Sequence, residues 1–159
     1  MYKGKTAILF KIILIIYFLL LSRLILFRYP LYTLIMSAQS DSHLIPASIN
    51  LTPFKTIFIY LKGAPYLNIA LKNLIGNIVI FFPFGFLVPL MTDRVNSYIK
   101  IALCSAGLSL LFESAQLILR VGSFDVDDLL LNTLGGILGY MILKLIKKIR
   151  IKKFVKKGK

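Results

Sequence analysis

Four stretches of this chain, residues 6–27, 73–91, 101–119 and 128–146, are apolar almost without interruption. Each is long enough, at ~1.5 Å per helical residue, to cross a hydrocarbon core of ~30 Å. Backbone at that depth must satisfy its own hydrogen bonds, so a spanning segment of this length is a helix. The 58% hydrophobic and 16% charged content over 159 residues takes the chain outside the range of ordinary soluble domains. The expected architecture is an all-α integral membrane protein, a four-transmembrane-helix bundle. Residues 1–5 precede it, residues 6–147 form the transmembrane domain, and residues 148–159 form a basic tail.

Charge sets the expected orientation. Nine of the 20 Lys and Arg lie between Lys144 and Lys159, in a run that contains no acid. With Lys3, Lys5, Arg94 and Lys100, that run outweighs Arg28, Lys55, Lys62, Lys72 and Arg120 on the opposite side. The positive-inside rule therefore places both termini in the cytoplasm. A basic segment abutting a span is explained by topology and anionic lipid headgroups, with no need for nucleic acid. The first stretch, with Lys11 and Arg23 at snorkelling positions, is longer than a signal peptide's apolar core and lacks an A-x-A-like cleavage site, which predicts an uncleaved span. Arg23 also has the option of turning inward to neutralise an acid. Cys104 is the only cysteine, so it forms no disulfide within the chain.

The one substantial loop runs from Arg28 to about Ile69. Within it, N-L-T-P-F-K-T-I-F-I-Y-L-K-G-A-P predicts a short amphipathic helix in the first extracytoplasmic loop. Thr52 is its expected N-cap with Pro53 first, Gly63 and Pro65 its stop, and Phe54, Ile57, Phe58 and Leu61 its apolar face. His43, the single histidine, reads as a solvated loop residue.

Polar side chains inside the spans are the functional signal. At ~100° per residue, Ser105, Ser109, Glu113, Gln116 and Arg120 fall within an arc of ~80° on the third span, and Asp128, Asn132, Gly135 and Gly139 within ~60° on the fourth. Asn73 and Asn77 are one turn apart on the second. In the expected orientation Asn73, Asn77, Glu113 and Asn132 all lie within ~10 Å of the outer surface, beside a turn that carries Asp125, Asp127 and Asp128. The inner half of the bundle is almost wholly apolar. Ser105, Ser109, Gly135 and Gly139 suit close helix packing, and Asn or Gln contacts across helices are worth about 0.6–2 kcal/mol. Asp125 or Asp127 suits a cap for the fourth helix. Packing does not need Glu113 or Arg120, because a charge at the bilayer centre costs about 2.5–3.5 kcal/mol on insertion scales. Arg120, two turns beyond Glu113 on the same helical face, is expected to reach back toward Gln116 and Glu113. The expected ligand-binding set is Asn73, Asn77, Glu113, Gln116, Arg120, Asp125, Asp128 and Asn132, lining an outward-opening pocket.

Several motifs in order resemble the VanZ-like family: N-x-x-G-N-x-x-x-F-x-P-x-G from Asn73 to Gly85, E-x-x-Q-x-x-x-R from Glu113 to Arg120, and D-x-D-D-x-x-x-N-x-x-G-G-x-x-G-Y from Asp125 to Tyr140. N-L-T-P-F from Asn50 to Phe54 matches a loop motif of that family. The resemblance implies a multi-pass protein of the bacterial plasma membrane that affects susceptibility to teicoplanin, a glycopeptide antibiotic acting on the cell wall. It implies no reaction and no cofactor.

Three functions follow from these residues. The first is a non-enzymatic site that binds or shields an envelope lipid or the lipid tail of a lipoglycopeptide; the three Asp at its mouth favour an amine-bearing or cationic ligand. The second is an intramembrane enzyme acting on a cell-envelope lipid or peptidoglycan precursor, with Glu113 as acid or base and Arg120 and Asp128 beside it. The chain contains no H-E-x-x-H, G-x-S-x-G, Walker loop or Cys/His pair, and its Asp spacing is not that of an EF-hand, so no metal set is assigned. The third is a scaffold working through the basic tail.

Overall fold

A computed structural model describes residues 5–26, 48–63 and 66–157, with side chains assigned from 8 to 150 within those segments. Helix α1 is Lys5–Leu26, α2 is Lys55–Leu61, α3 is Leu67–Met91, α4 is Tyr98–Ile118 and α5 is Val126–Lys157. Four of these helices are long and apolar enough to cross a membrane, over Ile8–Leu26, Leu67–Met91, Tyr98–Ile118 and Val126–Arg150. His43, Lys3, Arg28 and Pro65 lie outside the described residues.

Two span boundaries differ by six residues or more from those expected. Helix α3 starts at Leu67 rather than residue 73, because Asn68, Lys72 and Asn73 lower the apolarity of its first turns without breaking the helix. Helix α5 continues to Lys157, so the basic segment expected as a tail is helical. Lysine and isoleucine sustain a helix, and neither Gly nor Pro interrupts the sequence between Gly139 and Gly158. One strand pair joins the helices: β1, Ile49–Asn50, runs parallel to β2, Phe124–Asp125, with Asn50 opposite Asp125.

Helices α3 and α5 form the tightest pair, and glycine permits it. A Cβ on Gly135 or Gly139 would overlap the backbone carbonyl of Ile78 or Phe82 on α3, and one on Gly85 would overlap the carbonyl of Gly136. Gly136 faces α4, where a Cβ would strike the hydroxyl of Ser105. The small residues therefore let three backbones approach where dispersion contacts replace the missing hydrophobic drive of lipid. Helix α3 passes through Pro83 and Pro89 without interruption. The end of the bundle nearest the α3–α4 connection closes on Ile101, Tyr140 and Leu143, with the Tyr140 hydroxyl donating to Asn96 Oδ1 at 2.9 Å.

Helix α1 sits at the periphery. Leu21 is its buried residue, while Ile8, Ile12, Ile15, Ile16, Leu19, Leu20 and Leu24 are exposed as a lipid-facing helix requires. Its Tyr17 hydroxyl donates to the Ile80 carbonyl at 3.0 Å, and Phe18 meets Phe84 edge-on at 6.3 Å.

Candidate functional site

At the end of the bundle where α5 begins, a cavity of about 300 Å³ opens among all four spans. Helix α3 contributes Asn73 and Asn77, α4 contributes Glu113 and Gln116, and α5 contributes Asp128 and Asn132. Six of the eight residues singled out by polarity thus line one space. The remaining wall consists of Leu24 and Ile25 from α1 with Lys72, Gly76 and Ile80 from α3.

Helical spacing explains the convergence. Ser105, Ser109, Glu113 and Gln116 form a continuous buried stripe on α4. Asn132 Nδ2 donates to Ser109 Oγ at 2.9 Å, so the two polar stripes meet. Asn77 Nδ2 donates to Asp128 Oδ1 and thereby joins α3 to α5. Gln116 Nε2 donates to the Ile25 carbonyl at 3.0 Å, which attaches α1. Glu113 is 3% exposed, and its Oε2 accepts the backbone N–H of Asp125 at 3.0 Å. A carboxyl group at that depth is held by hydrogen bonds to donors fixed in the fold.

Asp125 and Asp127 organise the loop above the cavity rather than its lining. Asp127 is fully buried, and its carboxylate accepts the backbone N–H groups of Phe54, Thr56 and Ile57. Those donors are Phe54 and the first turn of α2, so Asp127 caps α2, while Asp125 Oδ1 accepts the Asp127 N–H at 2.9 Å and caps the fourth span, as one of the two expected residues. This capture also moves the helix start. Thr52 and Pro53 were the expected first positions, but Phe54 adopts φ 65° and the helix begins at Lys55. The Asp125 carboxylate accepts from Asn50 Nδ2 at 2.9 Å and from the Thr56 hydroxyl at 2.6 Å. From α2, the Tyr60 hydroxyl accepts Asn73 Nδ2 at 3.0 Å, linking the strap to a cavity residue.

Arg120 departs from the helical arithmetic. Helix α4 ends at Ile118, and Arg120 has φ 54°. The Val121 N–H donates to the Gln116 carbonyl at 3.0 Å and the Arg120 N–H to the Leu117 carbonyl at 3.2 Å, a Schellman stop with arginine where glycine is usual. Its side chain is exposed, and Arg120 is not among the lining residues. Arg23 is exposed on α1. Among the described residues, no three His, Cys, Asp or Glu are grouped to hold a metal ion.

Lys72 and Gly76 were not read as cavity residues. The signal was present, since Gly76 lies three residues from Asn73 and Lys72 four residues before Gly76, so all share one face. A Cβ on Gly76 would meet nothing within 4 Å, in contrast to the packed glycines.

The fold and cavity define a class: a small polytopic helical membrane protein with a polar chamber at one end and tight glycine packing below it. Residues 13–147 match the VanZ/LLP1 family, and the chain belongs to that family. Over 101 residues it is 34% identical to Protein VanZ of Enterococcus faecium, a match covering 64% of this chain and 55% of that protein. The chain therefore spans about half the length of this curated relative. No solved structure matches.

Proposed function

We propose that this is a bacterial plasma-membrane protein that reduces susceptibility to teicoplanin-type lipoglycopeptides by holding an envelope ligand in the chamber. The supporting observation is the chamber itself, in which two carboxyl and four amide side chains from three helices surround about 300 Å³ in an otherwise apolar bundle. Packing alone would close such groups on one another, as Asn132 and Ser109 do; a space left among them suits a polar guest. Such a volume accommodates a headgroup, a sugar or part of an acyl tail rather than a whole glycopeptide. The positive-inside expectation, with both termini in the cytoplasm, supports an outer-leaflet chamber, where it could meet envelope lipids and antibiotic. The basic end of α5 then contacts anionic headgroups of the opposite leaflet.

The test is teicoplanin susceptibility of a susceptible Gram-positive host expressing the parent, Glu113→Gln or Gly76→Leu at matched membrane levels. Parent protection lost in both variants supports the proposal. Glu113→Gln removes a cavity carboxyl group, and Gly76→Leu fills the cavity from a position with room for a side chain. Parent protection that survives both would exclude the chamber, and no protection by the parent would exclude the resistance function.

A further inference from the structure

Resting on the chamber as a ligand site, we infer the class of ligand: an uncharged, hydroxyl-rich headgroup, a sugar or polyol, on a membrane lipid. The amides of the lining decide this, not its acids. Asn77, Gln116 and Asn132 each give one N–H to the protein, to Asp128 Oδ1, the Ile25 carbonyl and Ser109 Oγ. Those bonds fix one amide on each of three helices and leave each a second N–H. No donor among the described residues reaches their side-chain carbonyl oxygens. Ser105 Oγ is the one enclosed side-chain polar atom without a partner among the described residues, so the three amide oxygens keep open surface. Gln116 is 7% and Asn132 5% exposed, and both line the chamber, so what is open on them is open to it.

Each amide thus presents an acceptor beside a donor. A hydroxyl gives and takes a hydrogen bond through one oxygen and answers both. An ammonium only donates and leaves the spare N–H groups unanswered, whereas a phosphate diester or carboxylate only accepts and leaves the three oxygens without a donor. The carboxyl groups of Glu113 and Asp128 suit hydroxyls in either protonation state, since a carboxylate accepts from a hydroxyl and a protonated carboxyl also donates to one. The amine-bearing ligand expected from three Asp loses its basis, because Asp125 and Asp127 are engaged by Asn50, Thr56 and the start of α2. A lipid carrier follows from the remaining wall. Leu24 and Ile25 make that wall apolar, and Leu24 lies one turn from Leu20 among the exposed residues of α1. An acyl chain against α1 stays in an apolar environment while its head occupies the chamber.

The experiment is native mass spectrometry of the full chain in a sugar-free detergent with equimolar monoglucosyldiacylglycerol, diacylglycerol and phosphatidylethanolamine. The readout is lipid retained by the parent but not by Gly76→Leu, which separates the chamber from the basic end. The glucosyl lipid is expected to exceed each of the others about tenfold in this fraction, equivalent to about 1.4 kcal/mol. The preference should fall in Asn132→Leu and Gln116→Met, with each variant's melting temperature first matched to the parent. Ser109→Ala should keep it, since that change breaks the same interhelical bond as Asn132→Leu but leaves the amide in place. Soluble methyl glucoside at the lipid concentration should not displace the lipid. A chamber fraction without excess glucosyl lipid, a preference unchanged in both amide variants, or an equal loss in Ser109→Ala would overturn the inference. Displacement by methyl glucoside would overturn its lipid carrier. Resistance lost in Gly76→Leu without a glucosyl preference would remove the ligand class and leave the resistance function standing. An intact preference without any effect on resistance would do the reverse.

Discussion

The start and the middle of the membrane-spanning part of α5 solve the same problem in opposite ways. Around Gly135, Gly136 and Gly139 the helix approaches α3 and α4 so closely that a methyl group would overlap a neighbouring carbonyl or hydroxyl. Around Asp128 and Asn132 it presents polar side chains to a chamber. Close packing saturates every contact and leaves nothing to recognise. The polar end retains space at the expense of packing, and its hydrogen bonds rather than shape keep the helices together. A membrane bundle can therefore be rigid and receptive at once, provided the two properties occupy different depths.

Gly136→Leu tests this contrast most severely. Overpacking a tight core typically costs 1–3 kcal/mol, and a Cβ on Gly136 would already strike the Ser105 hydroxyl, so this site falls at about the upper end of that range. Thermal unfolding in detergent should show a large loss for Gly136→Leu and almost none for Gly76→Leu. Equal losses would end the distinction between packed and receptive glycines.

Asp127→Ala should come next. It leaves the first N–H groups of α2 without their acceptor, at about 1–3 kcal/mol for buried donors left unpaired. Hydrogen exchange should accelerate at Thr56 and Ile57 while the amides of α4 stay protected. Global acceleration would mean that the strap is an integral part of the bundle.

A smaller loss is expected for Asn132→Leu, about 0.6 kcal/mol on the average for interhelical hydrogen bonds in membranes. Its measure is the unfolding free energy in mixed micelles, compared with Ser109→Ala and the double variant. Non-additive losses identify the pair, and additive losses would show that the bond does not couple α4 to α5.

The smallest net effect is expected for Arg120→Gly, in which relief of the left-handed conformation, worth up to about 1 kcal/mol, is offset by loss of the arginine's interactions. If resistance is also lost, the strained arginine is retained for its side chain; if resistance persists, the charge at that position is dispensable.

Periodicity made much of this visible in the sequence. The apolar runs fixed the number of spans, and the 3.6-residue repeat on each put the amides and acids on facing stripes. Tertiary contacts across long sequence separations were not visible in this way. Asp125 or Asp127 read as a local cap, and Asp125 is one, but the partners of Asp127 lie more than 70 residues earlier and nothing in its own neighbourhood points to Phe54 or Thr56. Arg120 continued a helical pattern that its backbone does not follow, because glycine, the usual sign of a Schellman stop, is absent at that position. Gly135 and Gly139 stood out through their four-residue spacing, whereas Gly136 serves the contact with α4 and belongs to no such pair. The helical state of the basic segment was hidden by its charge.

Helix α5 has a mechanical consequence. Its 32 residues make one rod of about 48 Å, held near the middle of its membrane-spanning part where Gly136 meets Gly85 and Ser105. Side chains can yield by changing rotamer, but the close backbone contacts along Gly135, Gly136 and Gly139 cannot, so this short segment acts as a fulcrum. A tilt at the Asp128 end must swing the lysine-bearing end the other way. On the proposed function, a ligand at one end and lipid headgroups at the other would pull on opposite arms of a single balance.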